Sequence, residues 1–167
     1  MTLCEYARQM ASYNRWVNER LYATCAELPD DVRKRDVGAF FRSIHGTLNH
    51  LLLADRMWLS RFKGETFKIT ALSDELYAEF TRLREERART DRALEDWVAA
   101  LTPDDLAGEL RYIGIAQPVP RCYPFWFALL HLFNHQTHHR GQLTALLTQQ
   151  GVDPGATDLI SLPAFNP

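Results

Sequence analysis

Apolar residues recur at spacings of three and four along most of this chain, the period of an amphipathic helix. Leu3, Tyr6, Met10, Tyr13, Val17, Leu21 and Cys25 form one such stripe, which predicts a helix over about residues 2–27, stopped before Pro29. Asn14 lies on the same stripe, so it should find a hydrogen-bond partner inside the fold. A second stripe of Phe40, Ile44, Leu48, Leu51, Trp58 and Phe62 predicts a helix over about residues 37–62, closed by Gly64. The third predicted helix starts at Ser73, a good N-cap with Glu75 and Leu76 behind it. Its stripe is Leu76, Phe80, Leu83, Arg87, Thr90, Leu94, Trp97 and Leu101, and Pro103 follows its end. Arg87 interrupts that stripe, as a buried ion pair, a ligand-binding group or a snorkelling side chain would.

From Glu109 the pattern changes. The stretch ELRYIGIAQPVPRCYP alternates weakly and holds three prolines, which suits two short strands or an extended lid and not a helix. A fourth helix begins near Pro124 and ends at Gly151, and the tail VDPGATDLISLPAFNP is turn-rich and extended. These elements predict one all-α domain over residues 1–167, an up-down four-helix bundle with a short extended or hairpin insert before the last helix.

Composition narrows the function classes. A net charge of -2 and a pI near 6.3 leave no basic excess for a nucleic-acid partner. The one charge run, RLREERARTDR, mixes both signs and reads as a solvated helix face. No run of about 18 apolar residues occurs and the first residues lack an apolar signal core, so a cytoplasmic protein without a membrane partner is expected. Cys4, Cys25 and Cys122 show no CxxC spacing, so neither a disulfide framework nor a thiolate metal site is implied.

The histidines carry the candidate chemistry. Four of the six lie in HLFNHQTHHRGQL, His131 to Leu143. With about 100° per residue, His135 and His139 fall on the core-facing side one turn apart, where an i,i+4 pair can chelate one ion. His138 points to the rim, and a His131/His135 pair is a less buried alternative. Residue 136 is Gln, so the general base of an HExxH metalloprotease is absent. In SIHGTLNHLLLADRMW, His50 shares its flank with Ser43, Ala54 and Met57, which leave room for an ion, while His45 faces Phe41 and Leu52; His50 is the better third ligand. Asp55 falls inside the apolar arc and needs a partner, either Arg87 or Arg140 in an ion pair or the N–H of a ligand histidine. Gln142, about 20° from His135, faces the same cleft.

YNRWVNERLY, SIHGTLNHLLLADRMWLSRF, FNHQTHHRGQLTALLTQQGVDPGATDLI and the short insert together resemble the DinB-like (YfiT-like) family of bacterial metal-binding four-helix bundles, over nearly the whole chain. The resemblance implies a divalent metal, usually nickel or zinc, held by His50, His135 and His139 at the end of a cleft, in a homodimer. Some such relatives use a low-molecular-weight thiol (mycothiol, bacillithiol or glutathione) as transferases or isomerases. Three imidazoles leave at least one position open, and such a site accepts zinc, nickel, cobalt or iron. The expectation is therefore a metal-dependent transferase or hydrolase of a small organic substrate, with a non-catalytic metal-binding or stress-response protein as the alternative.

Overall fold

The computed structural model describes residues 1–165; Asn166 and Pro167, which end the predicted tail, lie outside the described residues. Helix α1 (Leu3–Ala26) opens on a capping box, in which the Thr2 hydroxyl accepts the Glu5 amide and the Glu5 carboxylate accepts the Thr2 amide. A single turn, α2 (Asp30–Lys34), precedes α3 (Ile44–Phe62) and α4 (Phe80–Ala99). Then come a second single turn, α5 (Pro103–Ala107), strands β1 (Glu109–Ile113) and β2 (Pro120–Pro124), and α6 (Phe125–Gln149). The molecule is thus mostly helical with one small antiparallel sheet, where Glu109 pairs with Pro124 and Ile113 with Pro120. The tail runs irregularly over residues 152–158 into two 3-10 turns, Leu159–Ser161 and Pro163–Phe165, and the Tyr13 hydroxyl ties it to α1 by donating to the Thr157 carbonyl. Among the described residues no helix is long and apolar enough to cross a membrane.

Side-chain pairs give the directions of the long helices. Tyr22 reaches Leu48 and Asn14 reaches Asp55, so α1 and α3 are antiparallel. Asp55 meets Arg87 and Phe62 stacks on Trp97, so α3 and α4 run the same way. His50 faces His139 and Phe62 meets Phe125, so α6 runs against α3. The order is up, down, down, up, which corrects the simple up-down alternation expected from the sequence. The cause is the connection between α3 and α4. Seventeen extended residues, 63–79, span up to roughly 56 Å, enough to return along the roughly 28 Å of the 19-residue α3. That crossing lays the connection over His50.

Two predicted boundaries move. The second helix starts at Ile44 and not near Val37, because Ser43 caps it by accepting the Gly46 amide. Residues ahead of Ser43 form a tight turn with an Ala39–Arg42 bridge and Arg42 in the left-handed region at φ 68°. Phe40, placed on the helix stripe by periodicity, is instead 85% exposed. The third helix starts at Phe80 and not at Ser73. Asn49 of α3 accepts the Tyr77 amide at 3.0 Å and donates to the Tyr77 carbonyl at 3.1 Å. His45 Nε2 lies 2.9 Å from the same carbonyl. These tertiary bonds hold backbone groups that a helical turn would have used.

Candidate metal centre

α3 and α6 bring His50, His135 and His139 together. Their Nε2 atoms form a triangle with sides of 3.4, 3.2 and 3.1 Å. The carbonyl of Leu72, on the crossing connection, lies 2.8 Å from His50 Nδ1. A carbonyl only accepts, so His50 carries its hydrogen on Nδ1 and leaves Nε2 bare. His139 Nδ1 lies 2.8 Å from Gln142 Oε1 and is held in the same tautomer. The two Nε2 lone pairs therefore face each other at 3.2 Å with no hydrogen between them. His135 Nδ1 is buried without a hydrogen-bond partner among the described residues.

Burial pushes His50 down to about 4. Burial together with the surrounding imidazoles pushes His135 down to about 3. Burial also lowers His139. All three rings are neutral near pH 7, the form that ligates metal. A tetrahedral ion with nitrogen ligands at 2.0–2.1 Å separates them by about 3.3 Å, so the triangle has the right size and donor type for one divalent cation. The three histidines could hold a metal ion.

Phe41 stacks on His50 with ring centroids 3.8 Å apart and planes 16° from parallel. The turn ahead of α3 sets this contact, and Gly46 permits it: a Cβ there would sit 2.1 Å from the Phe41 carbonyl oxygen. The sequence reading placed Phe41 against His45; the structure moves it to His50. Nothing in the periodicity could reveal that contact or the Leu72 carbonyl, because both come from irregular segments. A cavity of about 670 Å³ opens on the triangle, with Phe40, Phe41, Ile115, His138 and Gln142 in its wall. His138 is at the rim, as expected, and its Nε2 lies 3.3 Å from the Gln142 amide nitrogen. His45 is engaged with the Tyr77 carbonyl and is not part of the triangle, and His131 lies tilted against Trp58 in the wall of a neighbouring cavity.

The other candidates form a separate buried layer. Asp55 and Asp91 share the Arg87 guanidinium at 2.7 and 2.8 Å. Gln136 also donates to Asp55, and Asn18 donates to Asp91 at 3.0 Å. Arg140 donates to Asn14 and lies over the Tyr13 ring. Asp55 touches no ligand histidine, and of the partners expected for it the ion pair with Arg87 is the one formed. Arg87 is 2% exposed and does not snorkel. Arg140 is likewise sealed away from the cleft. Burial raises Asp55, and it pushes Asp91 up to about 6 against the pull of Arg87.

The DinB family model matches residues 2–165. The chain belongs to the DinB family. Protein DinB of Bacillus subtilis (strain 168) is 27% identical over 161 residues, covering 93% of this chain and 92% of that protein. A DinB-like protein from Bacillus cereus ATCC 10987, known from its crystal structure, matches at a TM-score of 0.67 with 20% identity, over 86% of this chain and 90% of that one. That likeness shows a shared DinB-like fold.

Proposed function

We propose that this DinB-family protein is a divalent-metal-dependent enzyme, a thiol-dependent transferase or a hydrolase of a small organic substrate. In this reading it is a four-helix bundle working as a cytoplasmic homodimer, with nickel or zinc on His50, His135 and His139. The dimer, the identity of the metal and the thiol rest on the family resemblance. The observation that carries the metal reading is the contact of the bare Nε2 atoms of His50 and His139 at 3.2 Å, which no hydrogen bond between those two rings accounts for, with His135 Nε2 within 3.4 Å of both.

A divalent cation there would act as a Lewis acid and favour the ionised form of water or of a thiol. The protein's own part is positional. Leu72 and Gln142 hold two rings in the ligating tautomer, and Phe41 covers one face of His50. His138 and Gln142 offer polar groups at the mouth of an otherwise largely apolar cavity that suits a small organic molecule. Among the described residues no fourth acidic, cysteine or histidine ligand joins the triangle. An open position favours catalysis over the alternative of a non-catalytic metal-binding or stress-response protein, which needs a side chain to close the sphere.

Elemental analysis of protein purified without chelator or affinity resin tests this reading. Wild type should carry about one nickel, zinc or iron per chain, lost in His135→Ala. Wild type that refuses added metal would refute the centre. Loaded protein that neither transfers a thiol to an electrophile nor hydrolyses ester and amide substrates would leave the non-catalytic reading.

A further inference from the structure

A second cavity, of about 380 Å³, meets the first at His50 and His135, on the side of the β hairpin. Its wall is cationic. Arg61, on the last turn of α3, packs against two aromatic rings that meet each other edge-on, its guanidinium carbon 4.7 Å from the Trp58 centroid and 4.1 Å from that of Tyr112. Arg121, at the start of β2, lines the same cavity, and its side chain donates to the Gln117 side chain at 3.1 Å. Among the described residues neither arginine has a carboxylate within ion-pair distance, and no Asp or Glu lines the cavity. Arg15, Arg33, Arg56, Arg82 and Arg87 each have an acidic partner, whereas Arg61 and Arg121 face a cavity without one.

A half-buried guanidinium packed against two rings has lost much of its hydration and has its planar fork pre-positioned. Burial weighs against the charge of Arg61, and no acid offsets that cost. An anionic ligand would. We propose that this second cavity is the anion subsite of the centre, where Arg61 and Arg121 bind the carboxylate of a small ligand whose other end reaches the histidine triangle. The inference rests on the metal reading above and deepens it, since it restricts the substrate or co-substrate to molecules bearing a carboxylate. That group belongs either to a low-molecular-weight thiol or to a thiol-free organic acid.

The test uses cobalt(II)-loaded protein titrated with 3-mercaptopropionate and with uncharged 3-mercaptopropanol, binding being read from the cobalt absorption bands. The carboxylate-bearing thiol should bind about tenfold tighter than the alcohol. Arg61→Met should bring that ratio close to unity, and Arg121→Met should reduce it, while cobalt uptake and mercaptopropanol affinity stay as in wild type. Cobalt uptake also reports that the variants are folded. The Arg61 Nε–H resonance separates the two sources of the carboxylate. A shift with thiol-free propionate supports the subsite as one for organic acids in general; a shift with 3-mercaptopropionate alone supports it as the seat of the thiol's own carboxylate. Equal affinities for the two thiols in wild type, or a preference that survives both substitutions, would overturn the subsite. Failure to take up cobalt would overturn the metal reading beneath it.

Discussion

Two groups of polar side chains lie side by side between α3 and α6, and they are built on opposite rules. In the buried layer carboxylates meet donors: Asp55 takes Arg87 and Gln136, and Asp91 takes Arg87 and Asn18. In the triangle the Nε2 acceptors of His50 and His139 meet at 3.2 Å. The divide runs between chain neighbours, His135 against Gln136 and His139 against Arg140. A network in which charges meet their opposites belongs to folding. A set of lone pairs converging without a hydrogen belongs to a ligand, because only an added cation removes their mutual repulsion.

The contrast breaks most visibly in the polar layer. Asp55→Ala leaves Arg87 with Asp91 as its remaining carboxylate and Gln136 with the Leu51 carbonyl, and should cost about 3–5 kcal/mol, read from urea unfolding. A loss below about 1 kcal/mol would mean that the layer is not a closed unit. In the triangle the same kind of cut should behave differently. Saturating metal, at about 100 times Kd, should stabilise wild type by about 2.7 kcal/mol and leave His135→Ala unmoved, by thermal unfolding.

Smaller effects sharpen the boundary. Gln142→Ala removes the group that holds His139 and should weaken metal affinity about 10–100-fold with little change in metal-free stability. Equal affinities in a competition titration would show that Gln142 does not orient the ring. Gly46→Ala forces the Phe41 carbonyl away and should cost about 1–3 kcal/mol, with loss of the ring-current shift that Phe41 imposes on His50. An unshifted His50 resonance would mean that the turn does not set the stack.

The gentlest probe is pH, on chelated, metal-free protein. His50 and His135 are held near 4 and 3, below the ordinary histidine value of 6.5. Their stability contribution is complete above pH 6.5 and is lost as pH falls toward those values, since the unfolded chain takes up protons first. Asp55 and Asp91, both raised by burial, work in the opposite sense over part of that window, against the lowered His50, His131, His135 and His139. The melting temperature should therefore fall from pH 6.5 to 4, and His50→Gln with His135→Gln should flatten the slope. An unchanged slope in the double variant would place the titration elsewhere.

Much of the site was legible before the fold. Helical spacing alone put His135 and His139 one turn apart on the core side, and small neighbours favoured His50 over His45. An apolar arc that contained Asp55 and Arg87 announced a buried pair without saying which charge met which. What periodicity missed lies in segments without a period. The turn carrying Phe41 and the Leu72 carbonyl are set by contacts with residues of other elements. The premature start assigned to the third helix has the same origin, since Ser73 is a sound local cap and Asn49 and His45 outbid it from another helix.

Sequence by itself determined what local spacing and capping can express: four long helices, the hairpin with its prolines, and the faces on which the histidines, Asn14 and Asp55 lie. Tertiary structure alone decided the direction of α4, the passage of residues 63–79 over His50, and which lone pairs meet. A helix face is specified by residues three and four apart, within reach of one another in any conformation that is helical. The meeting of His50 with His135 and His139 spans 85 and 89 residues, and only the packed arrangement of α3 against α6 brings those atoms within 3.4 Å.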